Sequence, residues 1–509
     1  MTSGSFYVLL GTLLREKTHI KTTSERYLVK RDIIHISILL IVALCIGINL
    51  IGTTAVISKD GIAFIEYAKN FEISPTKTMI QQYQHPGYPV MILCVHKIAR
   101  FLSESQSVFS WIYCAQGIAL VFRILAIIVL YFLGKELVGA RSGFLALLIL
   151  VLLPKPTHYG SDALSDWPHM FFLASGMLLL IHAAISKKWW LFGPAGLAGG
   201  AGYLIRPECV QVIVYGLLWL TLQFFWSKRV MSKSKTALAL VLLVIGFCVL
   251  TTPYMKLKGG VFPKKNLVQL QPQVVSETTY IADIVPSDIA GTFGKLFKNI
   301  GETLMWFFVP ALFIGLYKAF RKPNWYEPER FFIIVLVGLN IILMTLLYCK
   351  YRYMSVRHTL PLVVFTIFYI PAGLQVLADL LNKKFLKKEN ANLVFVILMV
   401  IGIVICSPKL FRPLHHDKRI FRELALWIAE NTDQKDIIAV PELRISFYAD
   451  RKGVTYNDQS IPKEASYTVK VLKNKADTPV SKQTLQTRKS FSFYCKNKEN
   501  VFVIYRNTH

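Results

Sequence analysis

Acidic residues are scarce in this 509-residue chain, and its cysteines form no pattern. The sequence has 30 Asp and Glu against 58 Lys and Arg, which gives a formal net charge of +28. The eight cysteines are scattered, mostly inside apolar runs, and no two form a close pair. This spacing argues against a metal cluster or a disulfide framework. The basic residues are not interleaved with aromatic ones that could stack on bases, so the charge does not indicate a nucleic-acid partner.

Hydrophobic residues, in contrast, make up 54% of the chain, and the mean hydropathy is +0.45. Several apolar runs are long enough to cross a bilayer as helices. The sequence therefore predicts an all-α polytopic membrane protein in contact with the lipid bilayer. We predict about eleven transmembrane helices, at 33–55, 109–133, 142–154, 168–185, 189–205, 210–226, 237–255, 303–319, 331–349, 358–380 and 392–407.

The run 86–101 is too short and too charged for a comfortable crossing, because it contains His96, Lys97 and Arg100. We therefore interpret it as a helix that lies in the membrane interface. With this run lying flat, the main Lys and Arg clusters collect on one side of the membrane. The positive-inside bias then predicts a cytoplasmic N-terminus and an extracytoplasmic C-terminus. The flank of the first span, near Ile33, fits an uncleaved anchor better than a signal peptide.

This topology divides the chain into three parts. They are a cytoplasmic segment (1–32), a transmembrane domain (33–407) and an extracytoplasmic region (408–509). The transmembrane domain has a first external loop at 56–108, with an interfacial helix at 61–71, and a long external loop at 256–302 that could close as a lid. The C-terminal region has a helical pattern at about 417–431 and strand patterns at 437–440 and 501–505, which predict a small α/β domain.

Ionisable residues concentrate at the outer ends of the predicted spans. They come from four separate loops and comprise Asp60, Asp162, Asp166, Arg206, Glu208, Arg352, Arg357 and His358. A carboxylate at the end of a membrane span, where the dielectric constant is low, can act as a base toward a hydroxyl or an amine. Arginines in the same place suit a phosphate, because the guanidinium binds two oxygens and keeps its charge.

Each of these residues also has a plainer interpretation. Asp60 could cap the amphipathic helix that follows it, and Asp166 could cap the span that begins beside it. Arg206 and Glu208 could form an interfacial salt bridge. His85 could be an ordinary loop histidine. Arg352 and Arg357 could reach toward lipid headgroups.

The order of these residues resembles a known superfamily. A span is followed by Asp60, an amphipathic helix and the turn Gln84-His85-Pro86-Gly87-Tyr88-Pro89; later come Leu164-Ser165-Asp166-Trp167-Pro168 and Arg206-Pro207-Glu208. This arrangement, over about 30–380, resembles the GT-C glycosyltransferases. The likeness is closest to the Rgt-like and aminoarabinose lipid A transferases, which are relatives of the protein O-mannosyltransferases.

The resemblance implies transfer of a hexose or pentose from a polyprenyl-phosphate donor, usually with inversion. The acceptor would be a lipid, a glycan or a protein outside the cytoplasm, and the location would be a bacterial inner membrane. Asp60 matches the first-loop acid that acts as base or positions the acceptor, and Asp166 matches the second-loop acid before a proline. His85 matches a basic residue near the donor phosphate. Gln84 stands where the family often has an acid, so no metal ligands are assigned and any divalent cofactor is left unknown.

On these grounds Asp60 and Asp166 are the catalytic candidates. The donor phosphate would be bound by His85, Arg206, Arg357 and His358. Secondary candidates are Asp162, Glu208, Arg352, Glu66 and Tyr88.

The main alternative is a transporter or flippase for a lipid-linked saccharide. Such a protein would have mid-membrane charges, broken spans and an inverted repeat. Arg123 is the one clear charge inside a predicted span, and no repeat is visible. An O-antigen ligase or polymerase would typically centre on an external loop rich in Arg and His, whereas the 256–302 loop is rich in lysine.

Overall fold

The computed structural model describes residues 23–102, 107–225, 231–260, 286–321, 327–383, 391–456, 462, 464–473, 490–494 and 500–507. Within these residues, eight helices are long and apolar enough to cross a membrane. The expectation of an all-α polytopic membrane protein with a small C-terminal α/β unit is confirmed. Most of the segment 1–32 and the middle of the predicted 256–302 lid lie outside the described residues.

The membrane part of the chain consists of seventeen helices within the described ranges. They are α1 (Thr23–Thr53), α2 (Lys59–Ile73), α3 (Pro75–Gln81), α4 (Gly87–Leu102), α5 (Val108–Val138), α6 (Ala140–Leu152), α7 (Pro154–Tyr159), α8 (Asp166–Ser186), α9 (Phe192–Tyr203), α10 (Gln211–Phe225), α11 (Lys233–Lys258), α12 (Pro286–Thr303), α13 (Val309–Phe320), α14 (Pro328–Tyr351), α15 (Leu360–Thr366), α16 (Ile370–Leu381) and α17 (Ala391–Leu410). Short 3-10 turns precede α9, α10, α15 and α16.

Three of the eleven predicted spans fall on short helices. The spans predicted at 142–154, 189–205 and 303–319 correspond to α6, α9 and α13, which have 13, 12 and 12 residues. The last of these begins later than predicted, because the chain turns at Met305 and Trp306, where φ is 55° and 59°. Such left-handed backbone ends α12 and separates it from α13.

The segment 56–108, which the sequence predicts to be the first external loop, contains the two long helices that the sequence indicates, α2 and α4, joined through the short helix α3. Ser58 is the N-cap of α2, and its side chain accepts a hydrogen bond from the amide of Gly61. Asp60 lies in the first turn instead of at the cap. The capping interpretation of Asp60 is therefore wrong, because a serine two residues earlier already satisfies the helix terminus.

The C-terminal region is an α/β unit built on one five-stranded sheet. Its elements are α18 (Arg419–Asn431), β1 (Ile437–Val440), α19 (Leu443–Tyr448), β2 (Lys452–Thr455), β3 (Tyr467–Lys473), β4 (Ser490–Tyr494) and β5 (Asn500–Arg506). The strand order is β2-β1-β3-β5-β4. Strand β1 is parallel to β2 and β3, and β5 is antiparallel to β3 and β4. Because β1 and β2 are parallel, their connection must cross over the sheet, and α19 forms that crossover.

Candidate active site

One arginine joins the two carboxylates that the sequence singles out. The guanidinium of Arg357 donates from Nη1 to Oδ2 of Asp60. The same group contacts Asp166 through Nη2, at 2.9 Å from Oδ2, and through Nε, at 3.1 Å from Oδ2. Asp60 and Asp166 therefore face one another across a single side chain, although they are far apart in sequence.

Asp166 is held by a second arginine. Nη1 of Arg206 lies 3.0 Å from its Oδ1, and Nε of Arg206 donates to Oγ of Ser165 at 3.1 Å. Arg206 thus pairs with Asp166. We call the four side chains Asp60, Arg357, Asp166 and Arg206 the acid–arginine cluster. Two carboxylates and two guanidinium groups leave it with no net formal charge.

The two ends of the acid–arginine cluster differ in exposure. The Asp166 side chain is 1% exposed and that of Asp60 is 49% exposed, with 20% for each arginine. A buried carboxylate needs its partners, because an unpaired buried charge is costly. An exposed ion pair contributes little and exchanges readily with other partners. The Asp166 end is therefore the fixed part of the cluster, and the Asp60 end is the part that an incoming ligand can rearrange.

A close helix contact positions Asp60. A Cβ placed on Gly61 would lie 2.8 Å from both Cβ and the carbonyl oxygen of Ala163. The first turn of α2 therefore touches the 160–166 loop directly, and this contact brings Asp60 beside the start of α8. It also explains the glycine that follows Asp60, since a larger side chain has no room there.

Replacing Gly61 with alanine is expected to lower the thermal stability of the protein, because the backbone of Ala163 would have to move to make room for the added Cβ. Overpacking of this kind costs about 1–3 kcal/mol, which exceeds the gain of roughly 0.5–1 kcal/mol from alanine in a helix. Gly52→Ala is the matched control, because Gly52 is helical and has no atom within 4 Å of the added Cβ. Equal or higher melting temperatures for Gly61→Ala in detergent would contradict this packing argument.

Asp162 lies next to the acid–arginine cluster and organises its backbone. Oδ1 accepts from the amides of Ser58 at 3.1 Å and Ala163 at 2.8 Å, and Oδ2 lies 3.0 Å from Nε2 of His415. This one carboxylate thus ties the start of α2 to the 160–166 loop and to the beginning of the C-terminal region. Its oxygens are occupied by these contacts, so Asp162 acts on the geometry of Asp60.

The histidines of the site are packed near Arg206. His85 is 3% exposed, and its ring lies 4.9 Å from the ring of Tyr203 and 5.1 Å from that of Tyr254. The amide of Gly87 donates to the Leu204 carbonyl oxygen at 2.7 Å, which holds this turn against the residues before Arg206. His85 is thus a packed residue beside the cluster.

His358 follows Arg357 in the 3-10 turn before α15. Its Nδ1 lies 3.1 Å from the amide of Ser355, whose hydroxyl is 3.0 Å away, so the imidazole caps this turn. Arg206 and Glu208 are among the charged groups that interact with it electrostatically. The structure therefore brings His358 and Glu208 to the Arg206 side of the cluster.

The remaining secondary candidates are Glu66, Tyr88 and Arg352. Glu66 accepts from Nζ of Lys69 at 3.1 Å on the surface of α2. Tyr88 is fully buried, and its hydroxyl donates to the Ala115 carbonyl oxygen at 2.9 Å. Arg352 is an exposed residue at the C-terminus of α14, with φ at 51°. The contacts of Glu66 and Tyr88 are those of a surface pair and a core residue.

Sequence reasoning missed several residues around the cluster. Burial, followed by the charge of Asp60, raises the pKa of the Tyr83 phenol. Burial, followed by the charge of Asp166, raises the pKa of Tyr159. Two phenols that remain protonated at neutral pH therefore flank the site. His169 lies three residues after Asp166 on α8 and could have been found by that spacing, which puts both on one helix face.

No group of three or more His, Cys, Asp or Glu side chains that could hold a metal ion occurs within the described ranges. The charged side chains beside Asp166 are arginines, whose guanidinium groups contact both of its carboxylate oxygens.

Comparison with known proteins identifies the fold. A family model described as dolichyl-phosphate-mannose-protein mannosyltransferase matches residues 89–251. The crystal structure of ArnT from Cupriavidus metallidurans bound to undecaprenyl phosphate is similar, with a TM-score of 0.58 and 13% identity over 92% of this chain and 97% of that chain. The chain has the GT-C fold. The resemblance to the GT-C glycosyltransferases that the sequence indicated is confirmed.

A second GT-C structure is also similar. The oligosaccharyltransferase of Archaeoglobus fulgidus in the apo form has a TM-score of 0.51 and 12% identity, over 86% of this chain and 69% of that chain. No curated protein sequence matches the chain significantly. The low identities mean that these likenesses establish the GT-C fold and the character of an integral membrane protein, while the reaction has to be argued from the site.

Proposed function

We propose that the chain is a membrane glycosyltransferase that moves a sugar from a polyprenyl-phosphate donor to an acceptor outside the cytoplasm. The observation that carries the proposal is the convergence of Asp60, Asp166, Arg206 and Arg357 from four separate loops. A half-exposed carboxylate beside two guanidinium groups offers a base and an anion site side by side. The ArnT structure, solved with undecaprenyl phosphate bound, supports a lipid phosphate as the donor's carrier.

In the proposed reaction Asp60 accepts the proton of the acceptor hydroxyl or amine as that group attacks the anomeric carbon. The bond from this carbon to the phosphate oxygen breaks, and the phosphate leaves with the electron pair as polyprenyl phosphate. Arg357 and Arg206 balance the charge that develops on the leaving group. Within the described part of the chain, Arg357 is the only hydrogen-bond or ion-pair partner of the Asp60 carboxylate, which leaves its Oδ1 available for the proton.

Asp166 has a different role in this proposal. It is buried between the two guanidinium groups and therefore sets their position and orientation. His85 and His358, on the Arg206 side of the cluster, are proposed to complete the phosphate site. The topology predicted from charge would place this site on the non-cytoplasmic face, at a bacterial inner membrane.

The environment of Arg123 weighs against a transporter. Its Nη2 donates to the Val151 carbonyl oxygen at 3.1 Å and to Oγ1 of Thr157 at 2.9 Å, and the side chain is 1% exposed. The last carbonyl groups of a helix carry partial negative charge, so a cation at the end of α6 is stabilised in place. Arg123 thus serves the packing of α6 and α7, and it does not require a substrate path.

A test in detergent separates transfer from transport. Cells that lack the gene should accumulate the lipid-linked donor, so their lipid extract serves as the substrate pool. Purified protein in detergent is expected to convert this pool to free polyprenyl phosphate when an envelope extract supplies the acceptor, as measured by mass spectrometry. A flippase moves its substrate across a membrane and would release no polyprenyl phosphate in detergent. The absence of any released polyprenyl phosphate from the wild-type protein would therefore overturn the proposal.

Replacing Arg357 with lysine is expected to raise the donor KM about tenfold or more, because lysine lacks the fork that contacts both carboxylates and a phosphate. A hydrogen bond to a charged group is worth about 1.5–3 kcal/mol. Arg100→Lys is the control, since Arg100 pairs with Glu72 away from the cluster, at 3.7 Å. A donor KM that is the same in both variants would exclude Arg357 from donor binding.

A further inference from the structure

The five residues between α1 and α2 carry Asp60 into place. Residues 54–57 of this lead-in segment (54–58) are buried, and the segment forms neither helix nor strand. Buried backbone groups need hydrogen-bond partners, and irregular backbone cannot supply them from its own ladder. The conformation of the lead-in segment is therefore set by whatever groups bind its amides and carbonyl oxygens.

Four of those groups, from Leu414, Arg422, Arg444 and Tyr448, belong to the C-terminal part of the chain. The amide of Ala55 donates to the Leu414 carbonyl oxygen at 3.1 Å. Nη1 of Arg422 donates to the Thr54 carbonyl oxygen at 3.4 Å. From the membrane domain, Gln116 donates from Nε2 to Oγ1 of Thr54 at 3.1 Å. Residues of the C-terminal region thus bind the lead-in segment in addition to the membrane-domain contacts from Gln116 and the 160–166 loop.

Two of the four contacts come from α19 and meet at Ile57. The amide of Ile57 donates to the Tyr448 hydroxyl at 2.8 Å, and Nη1 of Arg444 donates to the Ile57 carbonyl oxygen at 3.4 Å. Arg444 is 2% exposed and also pairs with Glu442. The other oxygen of Glu442 lies 3.8 Å from Nζ of Lys59, the residue beside Asp60.

Arg444 and Tyr448 are four residues apart and so lie on one face of α19. Together they bind both backbone polar groups of Ile57, three residues before Asp60. We propose that α19 of the C-terminal domain is a positioning element of the active site, which acts through Ile57 to aim the Asp60 carboxylate at the acceptor. This proposal rests on the proposed function, and Arg444 and Tyr448 act through Asp60 without contacting the substrate.

Asp60 needs a positioning element because its own side chain is half-exposed. The ion pair with Arg357 is half-exposed and weak, so it cannot by itself hold the carboxylate in one position. A displacement of about 1 Å of a reacting group can cost about a hundredfold in rate. Anchoring of the backbone before Asp60 therefore supplies the rigidity that the side-chain contact lacks.

Tyr448→Phe is the sharpest test, because it removes one hydroxyl and keeps the ring, which packs against Phe109 at 5.9 Å between centroids. Tyr456→Phe is the matched control in the same domain, since the Tyr456 hydroxyl donates to the Val469 carbonyl oxygen of β3 at 2.6 Å. Arg444→Lys is a second variant, which keeps the charge and loses the planar fork.

The first measurement is amide hydrogen exchange of the purified full chain in detergent, with no substrate. Tyr448→Phe and Arg444→Lys are expected to speed exchange in the peptide that covers 55–60. Tyr448→Phe removes the acceptor of the Ile57 amide, and Arg444→Lys removes the guanidinium that donates to the Ile57 carbonyl oxygen. Tyr456→Phe is expected to leave this peptide unchanged. Unchanged exchange at 55–60 in Tyr448→Phe would overturn the proposal, whatever the enzyme does.

The second measurement is the release of polyprenyl phosphate from the accumulated lipid pool. For Tyr448→Phe we expect a kcat lower by about ten- to a hundredfold with an unchanged donor KM. Faster exchange at 55–60 with an unaltered kcat would also overturn the positioning role. Failure of the proposed function has a different signature: the wild-type chain would release no polyprenyl phosphate, while the exchange result would still report whether α19 holds the lead-in segment.

Discussion

Replacement of Asp60 by asparagine is expected to abolish sugar transfer in a protein that remains folded. Asparagine keeps the size of the side chain and an oxygen that accepts from Arg357, but it cannot take a proton from the acceptor. Loss of a general base costs about 10²–10⁴ in rate. The half-exposed ion pair and the charge at the start of α2 together contribute about 1 kcal/mol to stability, so the melting temperature should hardly change.

The matched control is Glu72→Gln on the same helix. Glu72 also pairs with an arginine, at 3.7 Å from Arg100, and lies away from the acid–arginine cluster. Turnover should be measured as released polyprenyl phosphate, with the melting temperature of each variant determined in the same detergent. A turnover for Asp60→Asn close to that of Glu72→Gln would exclude Asp60 as the base.

The sequence indicates the fold well because the membrane imposes long apolar runs with charged ends. It predicts α2 and α4 in the first external loop, the helix α18, and strands β1 and β5. Each of these rests on a local pattern of apolar residues with helix or strand period. It predicts short helices such as α9 less well, because small residues and glycines leave the length of a span poorly marked.

The candidate site could be predicted in part. The sequence predicts that Asp60 and Asp166 lie close together, because it predicts both at the outer ends of spans. The sequence does not predict that one arginine bridges these two carboxylates. Arg357 is 297 residues from Asp60, and the contact exists only in the tertiary structure. The roles of Arg444 and Tyr448 are hidden for the same reason, since both bind backbone of the membrane domain and leave no motif in the sequence.

Asp166→Asn is expected to destabilise the protein as well as stop transfer, in contrast to Asp60→Asn. Asp166 is 1% exposed and is the carboxylate shared by Arg206 and Arg357. Removal of its charge leaves two guanidinium groups near each other with only Asp60 to balance them. Breaking a buried ion pair by removal of one partner typically costs about 3–5 kcal/mol.

A double variant distinguishes charge balance from simple loss of a contact. If the cost of Asp166→Asn arises from uncompensated guanidinium charge, then Arg206→Gln in the same chain should recover part of the melting temperature, because it removes one of the two cations. Transfer should stay absent in the double variant, since Arg206 is proposed to bind the phosphate. Additive destabilisation by the two substitutions would instead mean that Asp166 supports the site by packing and hydrogen bonds, and that its negative charge does not hold the arginines in place.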